Sequence, residues 1–237
     1  ISEKIIGSLL ILDIVIGGVV VPNQELLSIM KSFGRKNPFS DLIDTVLELG
    51  GAKDSVKDVL VLEKVINIIP QLAAAFTQVF TKPSQYSNPD NYLIFSIKYL
   101  IQLIQEKQRT VDTVTTGTDG VTVKVSTRSI AYKSLGKLVT TMCVALRNNG
   151  NVISDIIEVI KEGFTRDDFF CSQALHCLGS IVNSVATSRM FVNDSLIEHM
   201  FRDGLTFDLI DNLKILMKQV PLVRQKILSL LLTHIKS

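Results

Sequence analysis

The strongest constraint on the fold is a pair of apolar helical patterns between Ser172 and Leu205, separated by a short polar break. Branched apolar residues recur there at three- and four-residue steps, the spacing that places side chains on one face of an α-helix. The break at 193–195 (Asn-Asp-Ser) is typical of a helix start, because short polar side chains cap free backbone N–H groups. The stretch therefore predicts a helical hairpin that is too apolar to be stable without similar neighbours. Its apolar positions are Ala174, Leu175, Leu178, Ile181, Val182, Val185, Leu196, Ile197, Met200 and Phe201.

The same pattern occurs forty positions upstream. The Leu-x-x-Leu step that begins at Leu135 recurs at Leu175 and, more weakly, at Leu213. The second apolar pattern repeats as well, since Ile156 lies forty positions before Leu196. A period near 40 residues is typical of stacked helical repeats. Further pairs at this offset are Leu138 and Leu178, Asp155 and Ser195, Ile157 and Ile197, and Ile160 and Met200.

Residues 173–205 resemble the boundary between two armadillo repeats, and HEAT-type helix pairs fit the same period. The Ala-Leu-x-x-Leu-x-x-Ile motif at 174–181 is similar to the third-helix signature of the armadillo family, and residues 189–196 look like the turn and first helix of the next unit. The resemblance covers residues 131–237 well and the first half only by its period. It implies an all-α fold, an armadillo/HEAT-like α-solenoid whose concave groove binds extended peptides or another protein.

The peptide-binding positions of that family are only partly matched. Classical peptide-binding members carry Trp and Asn in the third helix, where this chain has His176 and Ser180. An Asn side chain clamps a peptide backbone with paired hydrogen bonds, whereas Ser makes a shorter and weaker contact. We therefore expect a partner to bind by surface patches, loops or solenoid edges, with Ser180, His176 and Asn183 as candidate contacts, rather than in a groove for nuclear signals.

The segment from Thr110 to Ser129 interrupts the helical pattern. It is rich in Thr and Val, and a Gly-containing turn lies between its β-branched runs, which is typical of a β-hairpin. A Thr-rich loop is the alternative, and either one is an insertion near residues 110–128. Insertions in repeat proteins often lie on a functional face, so Thr116 and Asp119 are further candidate partner-binding residues.

The first half predicts helices with less regular spacing. The apolar run from Ile5 to Val21 is short for a membrane span and carries Asp13 near its centre, so we expect a buried helix and no transmembrane segment. A second apolar run, residues 55–80, contains Pro70, which predicts a kink or a helix boundary near Ile69.

These patterns predict one α-solenoid domain over residues 1–237, with a first half at 1–109, an insertion at 110–129 and regular repeats at 130–237. Because the chain begins with Ile1, we expect it to be part of a longer protein. Its 3 cysteines lie in apolar helical patterns without the spacing of a disulfide framework. Such cysteines indicate reduced thiols and therefore a cytoplasmic protein, with a nuclear one as the alternative.

The sequence predicts a non-enzymatic scaffold or adaptor that binds a protein or peptide partner on the solenoid surface. It contains no Gly-rich phosphate loop after a strand, no G-x-S-x-G elbow and no recognisable catalytic triad, so we expect no enzymatic activity, cofactor or metal. A net charge of +2 without a block of like charges argues against nucleic-acid binding. The alternatives are a cytoskeletal, tubulin-binding array, for which Arg35 and Lys36 in one predicted turn are the signal, and self-association of exposed terminal repeats.

Overall fold

The chain is mostly helical over the part that the computed structural model describes, which is residues 2–18, 38–51, 59–83, 90–105, 113–116, 122–125, 127–164, 168–202 and 205–236. The prediction of a mainly α-helical chain is confirmed. The chain divides into two compact units, Ile1–Ser134 and Leu135–Ser237.

The helices described in the first unit are α1 (Ser2–Gly18), α2 (Pro38–Leu49), α3 (Val59–Ala75), α4 (Thr77–Phe80) and α5 (Tyr92–Gln105). Helix α3 is the central element, because α1, α2, α4 and α5 each pack against it. Its residues Val65, Ile66 and Ala73 are fully buried. The expectation that the first apolar run forms a buried helix is wrong, because α1 packs on α3 by one side and leaves Leu10, Ile11 and Ile14 exposed.

Two buried tyrosines connect α5 to α2. The Tyr92 hydroxyl donates to Asp44 Oδ1 at 2.6 Å, and the Tyr99 hydroxyl donates to the carbonyl oxygen of Gly50. A buried hydroxyl needs such a partner, because an unpaired polar group away from water is costly. Helix α2 is followed by Gly50 and Gly51, and Gly51 has a φ of 89°, which favours glycine.

The apolar run that contains Pro70 forms α3, and this helix continues through the proline. It ends at Ala75, where Phe76 (φ −124°, ψ 44°) separates it from α4. Of the two alternatives predicted near Ile69, the helix boundary is therefore wrong, and a kink stays a prediction. Pro70 is buried, and packing of the surrounding apolar face offsets the one backbone hydrogen bond that a proline removes.

The Thr/Val-rich segment contains two short antiparallel strands, β1 (Thr113–Thr116) and β2 (Thr122–Val125). In their register Thr113 pairs with Val125 and Thr116 pairs with Thr122. The residues between the strands, Asp119 among them, lie outside the described part of the chain.

The second unit has a recurring order of helices. The boundary between the units falls within α6 (Thr127–Thr141). After α6 the same order occurs twice: a short helix, then a second helix, then a third helix. It begins a third time with a short 3-10 turn (Pro221–Val223) and a last helix. The helices are α7 (Cys143–Leu146), α8 (Gly150–Phe164), α9 (Asp168–Val182), α10 (Val185–Phe191), α11 (Asp194–Met200), α12 (Phe207–Gln219) and α13 (Arg224–Lys236).

The repeated leucines form the core of this unit. Helix α9 packs against both α8 and α12, and α11 packs against both α8 and α13. Each of the three Leu-x-x-Leu steps points inward, so the sequence period corresponds to recurring buried positions. The leucines concerned, all buried, are Leu135, Leu138, Leu175, Leu178, Leu213 and Leu216.

Two helices of this unit begin at a capping side chain, and the first of them confirms the helix start predicted at 193–195. Asn193 Oδ1 accepts the backbone N–H of Leu196 at 2.8 Å at the start of α11. Thr206 Oγ1 accepts the backbone N–H of Leu209 at 3.1 Å at the start of α12. Both side chains satisfy an N–H group that has no partner inside the helix.

Three other boundaries in this unit do not follow from the sequence pattern. The predicted hairpin contains an additional break, because Ser184 caps α10. The apolar spacing that runs from α6 into α7 is interrupted at Met142. Gly150 follows two asparagines, as at many helix ends, but it is the first residue of α8 and has no positive φ. In the first two cases apolar periodicity continues across the break, which hides it from a reading of spacing alone.

Candidate partner-binding face

Three of the predicted contact residues lie on one face of α9 and the turn that follows it. His176, Ser180 and Asn183 are spaced i, i+4 and i+7, which aligns them along a helix. His176 and Asn183 are exposed, and Ser180 is half-buried. The structure therefore brings these three residues together, and α9 is the centre of the candidate site.

On one side of this face, α6 approaches α9 very closely. A Cβ atom placed on Gly136 would lie 3.0 Å from the carbonyl oxygen of Cys177 and 3.1 Å from Ser180 Cβ. Only glycine allows this distance without a shift of one helix. Thr140 Oγ1 also lies 3.2 Å from the Ser180 carbonyl oxygen, 40 positions away, and its hydroxyl is shared between this acceptor and the Gly136 carbonyl oxygen at 2.8 Å. Positions that correspond in the sequence repeat are thus in direct contact.

Burial beside this contact makes Cys177 an inert thiol. Desolvation raises the pKa of Cys177 to about 12, and only a weaker opposing effect comes from a hydrogen bond with the Gly136 backbone. A thiol with such a pKa is protonated at neutral pH and is a poor nucleophile. Cys177 is therefore a packing residue of the α6–α9 contact.

On the opposite side of the face, polar contacts join α9 to α12. Ser172 Oγ donates to Asp208 Oδ2 at 2.8 Å, and Gln219 Nε2 donates to the Asn183 carbonyl oxygen at 3.2 Å. Contacts near both ends of α9 hold the two helices side by side. The exposed face of α9 is thus bounded by α6 on one flank and α12 on the other.

Seven exposed residues of the three neighbouring helices and the turn after α9, together with the half-buried Ser180, form what we call the three-helix face. On each helix these positions lie opposite the buried leucines and between the residues that contact the neighbouring helices. The members of the face are Lys137, Thr141, His176, Ser180, Asn183, Asp211, Lys214 and Lys218. Lys214 is paired with Asp211, Nζ to Oδ1 at 2.9 Å, so the charge not balanced within the face is positive.

The hydroxyl of Ser180 is already used within its own helix. Ser180 Oγ donates to the His176 carbonyl oxygen at 3.2 Å, the usual back-bond of a helical serine. The side chains of His176 in α9 and of Asn183 in the following turn are exposed to solvent. A clamp of the kind that Asn forms in peptide-binding armadillo proteins has no equivalent at Ser180.

The remaining predicted residues are not placed beside this face by the described structure. Arg35, Lys36 and Asp119 lie outside the described residues, so the tubulin-binding alternative stays a prediction. Thr116 lies in β1, in the first unit.

The lysines of the three-helix face were missed by sequence reasoning. Lys137 and Lys214 lie within two positions of Leu135 and Leu213, in helices that the leucine repeat already identified. The leucine repeat identifies apolar positions only. Extending it to the polar positions between the leucines would have found these lysines.

The first unit contains a separate apolar cavity of ≈ 540 Å³ between α1 and α2. Ser8 Oγ donates to the Lys4 carbonyl oxygen, and Thr45 Oγ1 donates to the Asp41 carbonyl oxygen. Both hydroxyls are therefore engaged by their own helices, and little polar surface is left to orient a bound molecule. The apolar lining consists of Ile5, Leu9, Ile11, Leu12, Leu42, Val46 and Leu49.

Over the described ranges, no group of three or more His, Cys, Asp and Glu side chains could hold a metal ion. In the same part of the chain, no helix combines the length and apolar character needed to cross a membrane. Comparison with family models, curated proteins and solved structures finds no match to this chain.

Proposed function

We propose that the chain is a non-enzymatic protein–protein interaction scaffold, an armadillo-like α-solenoid that docks a protein or peptide partner on the three-helix face. The observation that carries this proposal is the hydrogen bond between Thr140 and Ser180. It joins neighbouring helices at corresponding positions of the sequence repeat. Stacked units with such contacts create extended surfaces, which repeat proteins use for binding.

The helix order of the second unit supports the same proposal. A short helix, a second helix and a third helix follow one another as α7, α8 and α9 and again as α10, α11 and α12. The third helices α9 and α12 are neighbours. The polar contacts that join α6, α9 and α12 lie between the helices of the face, so a partner would meet a surface whose spacing is already fixed.

The charge of the face indicates the chemistry of the partner. Lys137, Lys214 and Lys218 are exposed, whereas Asp211 is the single acidic member of the face. Charge complementarity favours an acidic segment and speeds its association, with a strong dependence on salt. We therefore propose an acidic, extended protein segment that crosses the three helices and contacts His176 and Asn183 between the lysines.

Site-specific photo-crosslinking tests this proposal. A photoreactive residue is placed at His176 and, as a matched control, at the exposed Arg202 beyond the end of α11. The full chain is exposed to cell extract, and crosslinked proteins are identified by mass spectrometry. We expect a protein to crosslink from position 176 and not from position 202; equal labelling from both positions would contradict the proposal.

Charge reversal then tests whether the lysines contribute to binding of the captured protein, which is used in purified form. The double variant Lys137→Glu, Lys218→Glu should weaken binding about tenfold, and the control Arg202→Glu should leave it unchanged. Unchanged binding by the double variant would exclude the face.

Deletion of residues 110–126 distinguishes the three-helix face from the other candidate binding surface, which is the segment that contains β1 and β2. Binding that survives the deletion supports the three-helix face. Loss of binding would assign the partner site to β1 and β2 instead.

A further inference from the structure

Helix α13 has an aliphatic face that nothing in the described chain covers. Leu228 is 52% exposed, Leu232 57% and Ile235 71%. With the half-buried Leu231 they are spaced i, i+3, i+4 and i+7, so they form one continuous stripe. A stripe of this kind costs free energy in water and marks a docking surface.

This face continues a row of packed helices. The adjacent aliphatic pairs at 156–157 in α8 and 196–197 in α11 are buried at both positions. In the corresponding pair of α13, Ile227 is buried and Leu228 is exposed. Because α8 packs on α11 and α11 packs on α13, the exposed stripe is the place where another helix of the same kind would extend the row.

Helix α1 carries an exposed stripe with the same spacing. Leu10 is 41% exposed, Ile11 65% and Ile14 75%. Gly7 lies on the same side, and a Cβ atom there would meet nothing within 4 Å. The stripe of α1 is therefore also open, with a small residue at the place where α13 has Leu228.

The two stripes match in register and in charge. A parallel alignment of α1 with α13 pairs the apolar positions one by one and brings Glu3 beside Arg224, at the first turn of each stripe. Both charged side chains are exposed, and opposite charges favour this register over alternatives. The aligned pairs are Glu3 with Arg224, Gly7 with Leu228, Leu10 with Leu231, Ile11 with Leu232, and Ile14 with Ile235.

We propose that copies of this chain associate head to tail, with α1 of one copy packed in parallel on α13 of the next. A symmetric α13–α13 contact is disfavoured, because α13 carries Arg224, Lys226 and Lys236 and no acidic residue. Association between unlike faces is heterologous, so it extends into open chains wherever the rotation between copies does not close a ring. This inference does not rest on the partner proposed for the three-helix face.

The contact is weak, since one pair of helices buries less than the roughly 1,200 Å² of a standard stable interface. Sedimentation velocity of the full chain over a concentration series should show a mean mass that rises continuously. The variants Ile11→Asp and Leu232→Asp should each abolish this rise. The control Val144→Asp, at an apolar residue that is 74% exposed elsewhere on the surface, should retain it.

Mixing the two blocked variants tests the head-to-tail geometry directly. The Ile11→Asp chain keeps an intact α13 stripe, and the Leu232→Asp chain keeps an intact α1 stripe. An equal mixture should therefore form dimers and nothing larger. Dimers of the Ile11→Asp chain by itself would indicate an α13–α13 contact and overturn the proposal.

Exchange of the two charges tests the register. The single variants Glu3→Arg and Arg224→Glu should each weaken association about fivefold or more, and the double variant should recover it. Arg224 Nε also donates to the Met217 carbonyl oxygen at 2.6 Å, so thermal unfolding of each variant is compared with that of the unmodified chain. A chain that stays monomeric at all concentrations, or a double variant as weak as the single ones, would refute the proposal.

Discussion

Replacement of Gly136 tests the close approach of α6 and α9. A Cβ atom at this position would lie 3.0 Å from the Cys177 carbonyl oxygen and 3.1 Å from Ser180 Cβ, whereas comfortable carbon contacts are about 3.5–4.0 Å. The Cys177 oxygen belongs to the backbone of a packed helix and cannot move aside as the end of a long side chain does. Substitution must therefore separate the two helices.

The expected magnitude follows from two opposing effects. Alanine in a helix interior is about 1 kcal/mol more favourable than glycine, but overpacking a close contact costs about 1–3 kcal/mol. Gly136→Ala should thus lower the free energy of unfolding by about 0–2 kcal/mol. Gly136→Val adds two further carbons to the same gap and should lower it by about 2–4 kcal/mol.

Urea unfolding followed by far-UV circular dichroism measures these changes, with an unaltered slope required for the comparison. Gly150→Ala is the matched control, since a Cβ atom on Gly150 meets nothing within 4 Å. We expect the control to change stability by less than about 0.5 kcal/mol. A Gly136→Val variant as stable as the original chain would refute the close packing of α6 on α9.

Three smaller perturbations test local features of the second unit. Asn193→Ala should lower the free energy of unfolding by about 1 kcal/mol, because the N–H of Leu196 loses its cap; an unchanged urea midpoint would speak against this cap. Cys177, with its pKa raised to about 12 by burial, should resist iodoacetamide at pH 8 while the two half-buried cysteines react, and its early alkylation in peptide maps would contradict its burial. The hydrogen bond from Lys226 lowers the pKa of Glu198 below its ordinary value of 4.5, so this pair stabilises the fold above that pH and loses its effect as the pH falls through the lowered pKa. The difference in melting temperature between the original chain and Glu198→Gln should therefore be present at pH 7 and absent at pH 2, whereas a difference independent of pH would exclude the ion pair as its cause.

Much of the second unit could be predicted because its leucines recur at a fixed period and are buried at each recurrence. Cap residues such as Asn193 and Thr206 added reliable helix starts, since short polar side chains in front of apolar runs have few other roles. The helix breaks at Met142 and Ser184 could not be predicted from the sequence. The apolar spacing continues across both breaks, and tertiary packing decides where the helix is interrupted.

For the candidate site too, the sequence predicts which residues share a helix face but not which contacts form between helices. His176, Ser180 and Asn183 were candidate contacts from the sequence, and their i, i+4 and i+7 spacing is that of one helix face. The sequence could not show that Thr140 reaches the Ser180 carbonyl oxygen, because that contact depends on how neighbouring helices pack. It also could not show that the Ser180 hydroxyl bonds within its own helix.

The central claim is that corresponding helices of successive units lie side by side in the second unit. Pulsed electron paramagnetic resonance between spin labels at Lys137 in α6 and Lys214 in α12 tests it most directly, with the reactive cysteines replaced by serine. Two successive helix spacings of about 8–10 Å place the labelled backbones about 16–20 Å apart, so we predict a single short and narrow distance distribution. A mean distance beyond about 30 Å, or several separate distances, would contradict the stacked arrangement and with it the proposed three-helix face.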